Sequence, residues 1–304
     1  MQVNFSIREQ TLLADTLTPV WLYMFLRDRF PFSLLLESSD YHGTDNSQSF
    51  ICLEPLARFI VERKSSAVSA AVEFFPDGSQ RQTDLTDPAT LPKCFQQFLS
   101  SFFLQPADLK TRNTLGVFGY TTYDAVQHFE KIGLETPSNG PYQIPELQYA
   151  LYRFVIRFNH FNDEINLLEL VPEGDQSRLP ELLNHLKRVN FINYPFQANG
   201  ETKSNLSDEQ FCELVKKGIY HCQRGDVFQV VFSRQFSRQF SGDDFNVYRA
   251  LRHINPSPYL FYFDYGDFKL FGSSPEAQLK INNTKVGINP IAGTYRRTHN
   301  EASD

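Results

Sequence analysis

The sequence predicts an α+β fold in which packed antiparallel β-sheets are flanked by a few helices. Long β-type segments outnumber those with helical spacing, which favours packed sheets over an alternating βα pattern. Turn signals such as Pro76-Asp77-Gly78 join neighbouring segments closely enough for antiparallel pairing. The composition is 41% hydrophobic and 14% aromatic, with 29 phenylalanines in 304 residues, enough for a large packed core.

Thr18 and Pro19 form an N-cap and first-turn pair that starts a short helix carrying Leu22, Phe25 and Leu26 on one face, and Pro31 breaks it. Phe32 to Ser38 is then an apolar strand, and Phe50–Leu53 and Arg58–Val61 are two further strands. Ala67 to Phe75 leads through the Pro76-Asp77-Gly78 turn to a partner strand. Phe95, Phe98, Leu99 and Phe102 give helical spacing over 92–103. Leu147–Phe158 and Glu164–Leu170 pair around a turn at 159–163, and Arg178–Val189 is an amphipathic helix. Residues 191–204 are polar and without period, so they read as a linker between a β-rich domain at 1–190 and a second domain at 205–304. Ser207 and Gln210 then form a capping box for a helix that buries Phe211, Leu214, Val215 and Cys222 and stops at Gly225. A strand from Val227 to Phe236 is expected next.

Several function classes are excluded at this level. The 29 basic residues are outweighed by 35 acidic ones with no like-charge block, so there is no electrostatic footprint for nucleic acid. No apolar run approaches membrane-spanning length, and Met1 to Arg8 lacks the apolar core of a signal peptide. The four cysteines are widely spaced and are expected to be reduced and mostly buried. A cytoplasmic protein follows. The histidines lack metal-ligand spacing, and neither a nucleophile elbow nor a phosphate-binding loop occurs.

Three segments carry chemistry. In Gly225-Asp226-Val227-Phe228-Gln229-Val230-Val231 a neutral polar side chain, Gln229, stands in a strongly apolar strand, where its amide needs partners. Gly272-Ser273-Ser274-Pro275-Glu276 follows a short apolar strand at 268–271, and taken alone it is equally a tight turn with a solvated carboxylate. In Pro290-Ile291-Ala292-Gly293-Thr294, Gly293 permits close backbone approach and Thr294 offers a hydroxyl, though a structural turn explains Pro290 and Gly293 as well.

In this order the three segments resemble the chorismate-utilising enzymes, most closely the branch of anthranilate synthase component I, and the resemblance implies that branch's fold. It covers nearly all of the chain but only the front part of the family's catalytic domain. Water-adding members carry a lysine base in place of Gln229, and aminodeoxychorismate synthases carry a nucleophilic lysine in place of Ala292. With both lysines replaced, the resemblance implies attack of ammonia on chorismate, pyruvate elimination and aromatisation. Gln229, Ala292 and Thr294 are then the catalytic positions, and Gly293, Thr294, Ser274 and Glu276 lie against chorismate. The glycine- and tyrosine-rich stretch 116–124 also matches the family, and it reads as structural, with glycines for close packing.

The resemblance further implies a tryptophan inhibitor site made by Leu36, Glu37 and Ser38 with Asn255, Pro258, Tyr259 and Leu260, the 1–190 domain being regulatory. Leu260 replaces the usual methionine, and Gln48 stands where enterobacterial members have lysine; both depart from the family pattern. The implied cofactor is magnesium, with its ligands beyond Asp304, and the implied partner is a glutamine amidotransferase subunit that supplies ammonia. By itself the chain is therefore expected to be inactive and poorly soluble. The alternatives are aminodeoxychorismate synthase component I, disfavoured by Ala292, and a non-catalytic fragment that binds tryptophan or the amidotransferase.

Overall fold

A computed structural model describes residues 2–38, 47–64, 69–87, 89–104, 111, 113–132, 144–186, 194–282, 284–291 and 298. The chain divides into two compact units, Met1–Ile192 with Asn255–Ser273, and Asn193–Ile254 with Ser274–Asp304. This corrects the expected linear division at 191–204.

The first unit is built on an 11-stranded sheet whose main path runs β13-β12-β2-β3-β8-β9-β1-β6. Its members on that path are β1 (Val3–Leu13), β2 (Leu34–Glu37), β3 (Gln48–Arg63), β6 (Phe102–Leu104), β8 (Leu147–Asn159), β9 (Glu164–Pro172), β12 (Tyr259–Asp264) and β13 (Lys269–Ser274). Off the path, β4 (Ser69–Phe74) extends from β3 to β5 (Gln80–Leu85), and β7 (Val117–Thr121) pairs with β8. The two strands expected at 50–53 and 58–61 are one. Glu54 takes φ 60 and the β3–β8 register shifts between Pro55 and Ala57, so a bulge absorbs the proline that cannot donate to the ladder.

Helix α1 (Pro19–Leu26) begins as expected, with Thr18 Oγ1 accepting from the Trp21 N–H at 3.2 Å. It buries Leu22 to Leu26, and Tyr23 meets Tyr262 of β12 edge-on with ring centroids 5.7 Å apart. Helix α2 (Thr90–Ser100) starts and stops earlier than its spacing suggests, because Phe102 to Leu104 leave it to pair in parallel with β1. Its buried Leu91, Cys94 and Phe98 join Phe5, Phe59, Leu147 and Leu170 in one core cluster. Helix α3 (Leu179–Leu186) falls within the expected 178–189, of which 187–189 lie outside the described residues.

In the second unit, the expected linker contains β10 (Phe196–Ser204), which pairs antiparallel with β11 (Phe236–Gly242), the Phe196 and Phe240 rings stacking at 5.5 Å. Helix α4 (Asp208–Arg224) has both arms of the capping box and ends on Gly225 at φ 79. Helix α5 (Phe245–Ile254) was not expected; β14 (Lys280–Asn282) and β15 (Lys285–Gly287) form a small hairpin.

Two expectations fail here. Residues Val227 to Gln235 form no strand, which begins only at Phe236; at its margin the Gln235 carbonyl accepts from the Asn205 N–H at 3.2 Å. Cys52 and Cys94 are buried, and burial pushes the Cys52 thiol well up, but Cys212 and Cys222 are exposed. The latter lie on α4, where Phe211, Leu214 and Val215 are only half-buried and Gly218 is the one buried position.

Candidate functional site

The first candidate site is at the margin of the large sheet. Strand β12 pairs antiparallel with β2 over Leu260↔Glu37, Phe261↔Leu36, Tyr262↔Leu35 and Phe263↔Leu34. Two segments far apart in sequence, Leu36–Ser38 and Asn255–Leu260, therefore become neighbours. Cross-strand partners share a face and alternate faces along a strand. Glu37 and Leu260 are consequently side by side on one face, while Leu36 and Phe261 are side by side on the other. Leu36 and Phe261 pack, partly buried, against the cluster of Leu34, Cys52, Ala150, Tyr152, Phe263 and Tyr265.

Glu37, Ser257 and Leu260 are buried, Ser38, Pro258 and Tyr259 half-buried, and Asn255 exposed. The turn before β12 is fixed by Ser273 Oγ, which donates to the Asn255 carbonyl at 2.5 Å. A buried carboxylate beside leucine, with proline and tyrosine adjoining, can take a cationic group at one end and an apolar ring at the other.

The same row of the sheet continues into β3 and β8. Leu36 lies opposite Phe50, so the next residues, Glu37 and Ser49, are neighbours, and Ser49 lies opposite Phe158. The buried Ser49 hydroxyl is 2.7 Å from Nε2 of His160, whose ring stacks on Phe158. Sequence reasoning missed this pair, since a serine and a histidine so far apart give no local signal.

It also missed the polar hub at Glu146. This carboxylate accepts from Arg63 Nε at 3.0 Å and Ser69 Oγ at 2.9 Å, and His128 Nε2 lies 2.7 Å away. Burial pushes its pKa up, but the hydrogen bonds from His128, Arg63 and Ser69 and the Arg63 charge outweigh this and hold it at about 2. The hub ties the ends of β3, β4 and β8 to the 3-10 turn Tyr123–His128, making it structural.

In the second unit, Gln229 is exposed and stands outside any strand, which corrects the buried strand amide expected of it. Ser274 is half-buried and Glu276 exposed; the Ser274 hydroxyl accepts from the Glu276 N–H and donates to its carbonyl, each at 3.3 Å, so the pair closes a local turn. Ala292, Gly293 and Thr294 lie outside the described residues. Among the described residues no group of three or more His, Cys, Asp or Glu side chains could hold a metal ion. No helix among them is long and apolar enough to cross a membrane.

Anthranilate synthase component 1 of Aquifex aeolicus is 28% identical over 308 residues, an overlap of 96% of this chain and 60% of that protein. Anthranilate synthase component 1 of Thermus thermophilus is 32% identical over 303 residues, 97% of this chain and 61% of that protein. The crystal structure of anthranilate synthase component I from Streptococcus pneumoniae TIGR4 superposes with a TM-score of 0.59 at 21% identity, covering 90% of this chain and 59% of that one. That last likeness is one of fold, and it agrees with the α+β architecture. The chain spans about 60% of the length of these curated relatives. A family model described as chorismate binding enzyme matches residues 39–304. By that match the chain belongs to the chorismate binding enzymes.

Proposed function

We propose that this chain represents anthranilate synthase component I, which converts chorismate and ammonia to anthranilate and pyruvate, takes its ammonia from a glutamine amidotransferase subunit, and is inhibited by tryptophan. Magnesium is the ion this chemistry calls for, with ligands outside residues 1–304, and the cytoplasm is its place. Support for the reaction comes from the family match and from two side chains. Glutamine at 229 and alanine at 292 can act neither as the base that activates water nor as a lysine nucleophile.

One geometric observation carries the regulatory half of the proposal. The pairing of β2 with β12 sets Glu37 beside Leu260 on one face, with Pro258 and Tyr259 leading into β12, and this supports a site for an amino acid with an apolar ring. In this arrangement Glu37 receives the ammonium group, and Pro258, Tyr259 and Leu260 line the indole.

Anthranilate fluorescence tests the reaction. The 304-residue chain with chorismate, ammonia and magnesium is expected to give no signal, and a chain of the relatives' full length is expected to give one. Aminodeoxychorismate as the product would overturn the reading of Ala292. Tryptophan binding to the 304-residue chain without chorismate binding would leave only the regulatory half standing.

A further inference from the structure

The entry to β12 and the exit of β13 lie at the same end of one hairpin. The two strands are neighbours in the sheet, and across the turn between them the Tyr265 N–H donates to the Phe268 carbonyl at 3.1 Å. Tyr262 stacks on Phe271 with ring centroids 5.8 Å apart, and a Cβ added at Gly272 would fall 2.8 Å from the Phe261 ring. Each step forward along β13 is thus a step back along β12, as antiparallel pairing requires. Continued by one residue, this register sets Ser273 beside Leu260.

The turn that feeds β12 is stiff. In Asn255-Pro256-Ser257-Pro258 both prolines have a fixed φ, and the residue before each is restricted to extended backbone. A shift imposed at Pro258 is therefore carried through to Asn255 instead of being absorbed on the way. There the Ser273 hydroxyl, half-buried, donates to the Asn255 carbonyl at 2.5 Å, at the short end of the range for such bonds. The next residue, Ser274, has a looser hold, since its hydroxyl reaches the Glu276 N–H and carbonyl at 3.3 Å each. A rigid turn is thereby tied through one hydroxyl to the start of a soft one.

We propose that Ser273 is a positioning residue, which passes the occupancy of an amino-acid site at Glu37, Pro258, Tyr259 and Leu260 to residues 274–276 through the Asn255 carbonyl. It has this role only if those four residues hold an amino acid, as in the function proposed above. The coupling is reciprocal, so a ligand that holds the 255–258 turn also restricts Ser274 and Glu276.

Hydrogen exchange of the 304-residue chain with and without tryptophan tests this. In wild type, tryptophan is expected to slow amide exchange over 257–260 and, about fivefold or more, over 272–276. Ser273→Ala is expected to keep tryptophan affinity within about threefold and the protection of 257–260, while the response of 272–276 disappears. Ser273→Thr keeps the hydroxyl and is expected to restore that response, and an unchanged thermal melt checks the fold of both variants. A response of 272–276 that survives Ser273→Ala, or a threonine variant that behaves like alanine, would overturn the role of Ser273 and leave the amino-acid site standing. Loss of tryptophan binding in Ser273→Ala would also overturn it, by making the serine part of the pocket. A wild-type chain that binds no tryptophan would overturn the site and the coupling together.

Discussion

Leu260 of β12 lies directly opposite Glu37 of β2, and the two are 2% and 6% exposed. Burying a carboxylate is costly without polar partners; Glu37 is not without one in the protein, and a ligand's ammonium group would be a further one. If the site takes tryptophan, Glu37→Gln is expected to weaken tryptophan binding about tenfold or more, since charge-assisted hydrogen bonds contribute about 1.5–3 kcal/mol. Calorimetric titration of the wild-type and variant chains measures this, with an unchanged thermal melt as the control for folding. Leu260→Met is expected to keep binding within about threefold, because the swap conserves volume. Equal affinity in wild type and Glu37→Gln would remove Glu37 from the site.

The Glu146 hub sets an acid limit on the first unit. Its folded pKa of about 2 is below the ordinary 4.5, so the carboxylate contributes stability in full above pH 4.5 and loses it as the pH falls through about 2. Glu146→Gln is expected to cost about 3 kcal/mol near neutral pH, because it leaves the part-buried Arg63 without its charge partner and disturbs the hydrogen bonds to Ser69 and His128. The deficit should shrink steadily on acidification, as wild type loses what the variant already lacks. Urea unfolding followed by the single tryptophan, Trp21 on α1, reads this across pH. A deficit independent of pH would show that Glu146 acts by shape alone.

These sites differ in how much of them could be read from the chain. Thr18 with Pro19, and Ser207 with Gln210, act within one helical turn, so their residue types declare them. Strands β8 and β9 were equally plain, with a turn between two apolar runs. Strand β1 was not, because of its residues only Phe5 is buried and Arg8, Glu9 and Gln10 interrupt any apolar period. Its place depends on β9, far away in sequence. The Glu146 hub and the Ser49–His160 pair are products of register and leave no local trace. Leu36–Ser38 and Asn255–Leu260 were named through a family resemblance, and only the β2–β12 pairing shows them to be adjacent. Gln229 failed in the other direction. Its surroundings in sequence are those of a central strand, but a strand also needs backbone partners, which local sequence does not encode.

Gly119 and Gly116 provide an internal contrast within the glycine-rich stretch. A Cβ at Gly119 would fall 1.9 Å from the Gln148 carbonyl oxygen and 2.7 Å from the Tyr149 Cα, both backbone atoms of β8. Backbone cannot step aside as a side chain can, so Gly119→Ala is expected to destabilise by roughly 2–3 kcal/mol through strained β7–β8 pairing. At Gly116 an added Cβ meets nothing within 4 Å and the backbone is not left-handed. Gly116→Ala is expected to be neutral or to stabilise by up to about 1 kcal/mol, by restricting the unfolded chain. Chemical denaturation of the two variants side by side decides it, and similar losses at both would show that this stretch needs glycine for another reason.

Helix α4 depends on its ends more than on its core. Of its 17 residues only Gly218 is buried, so packing does less to hold it than it does for α1. Ser207 Oγ accepts from the Gln210 N–H at 3.2 Å, and Gln210 Oε1 accepts from the Ser207 N–H at 2.8 Å. Ser207→Ala breaks the first of these and is expected to cost about 1 kcal/mol. At the other end Gly225 holds φ 79, a conformation in which a Cβ crowds the following carbonyl, so Gly225→Ala is expected to cost about 1–2 kcal/mol although nothing lies within 4 Å of the added atom. Because α4 sits in the second unit, both losses should appear as faster amide hydrogen exchange along 208–224, while β3 and β8 in the first unit keep their protection. Equal acceleration in β3 and β8 would mean that the two units unfold together, and the caps would then be acting on global rather than local stability.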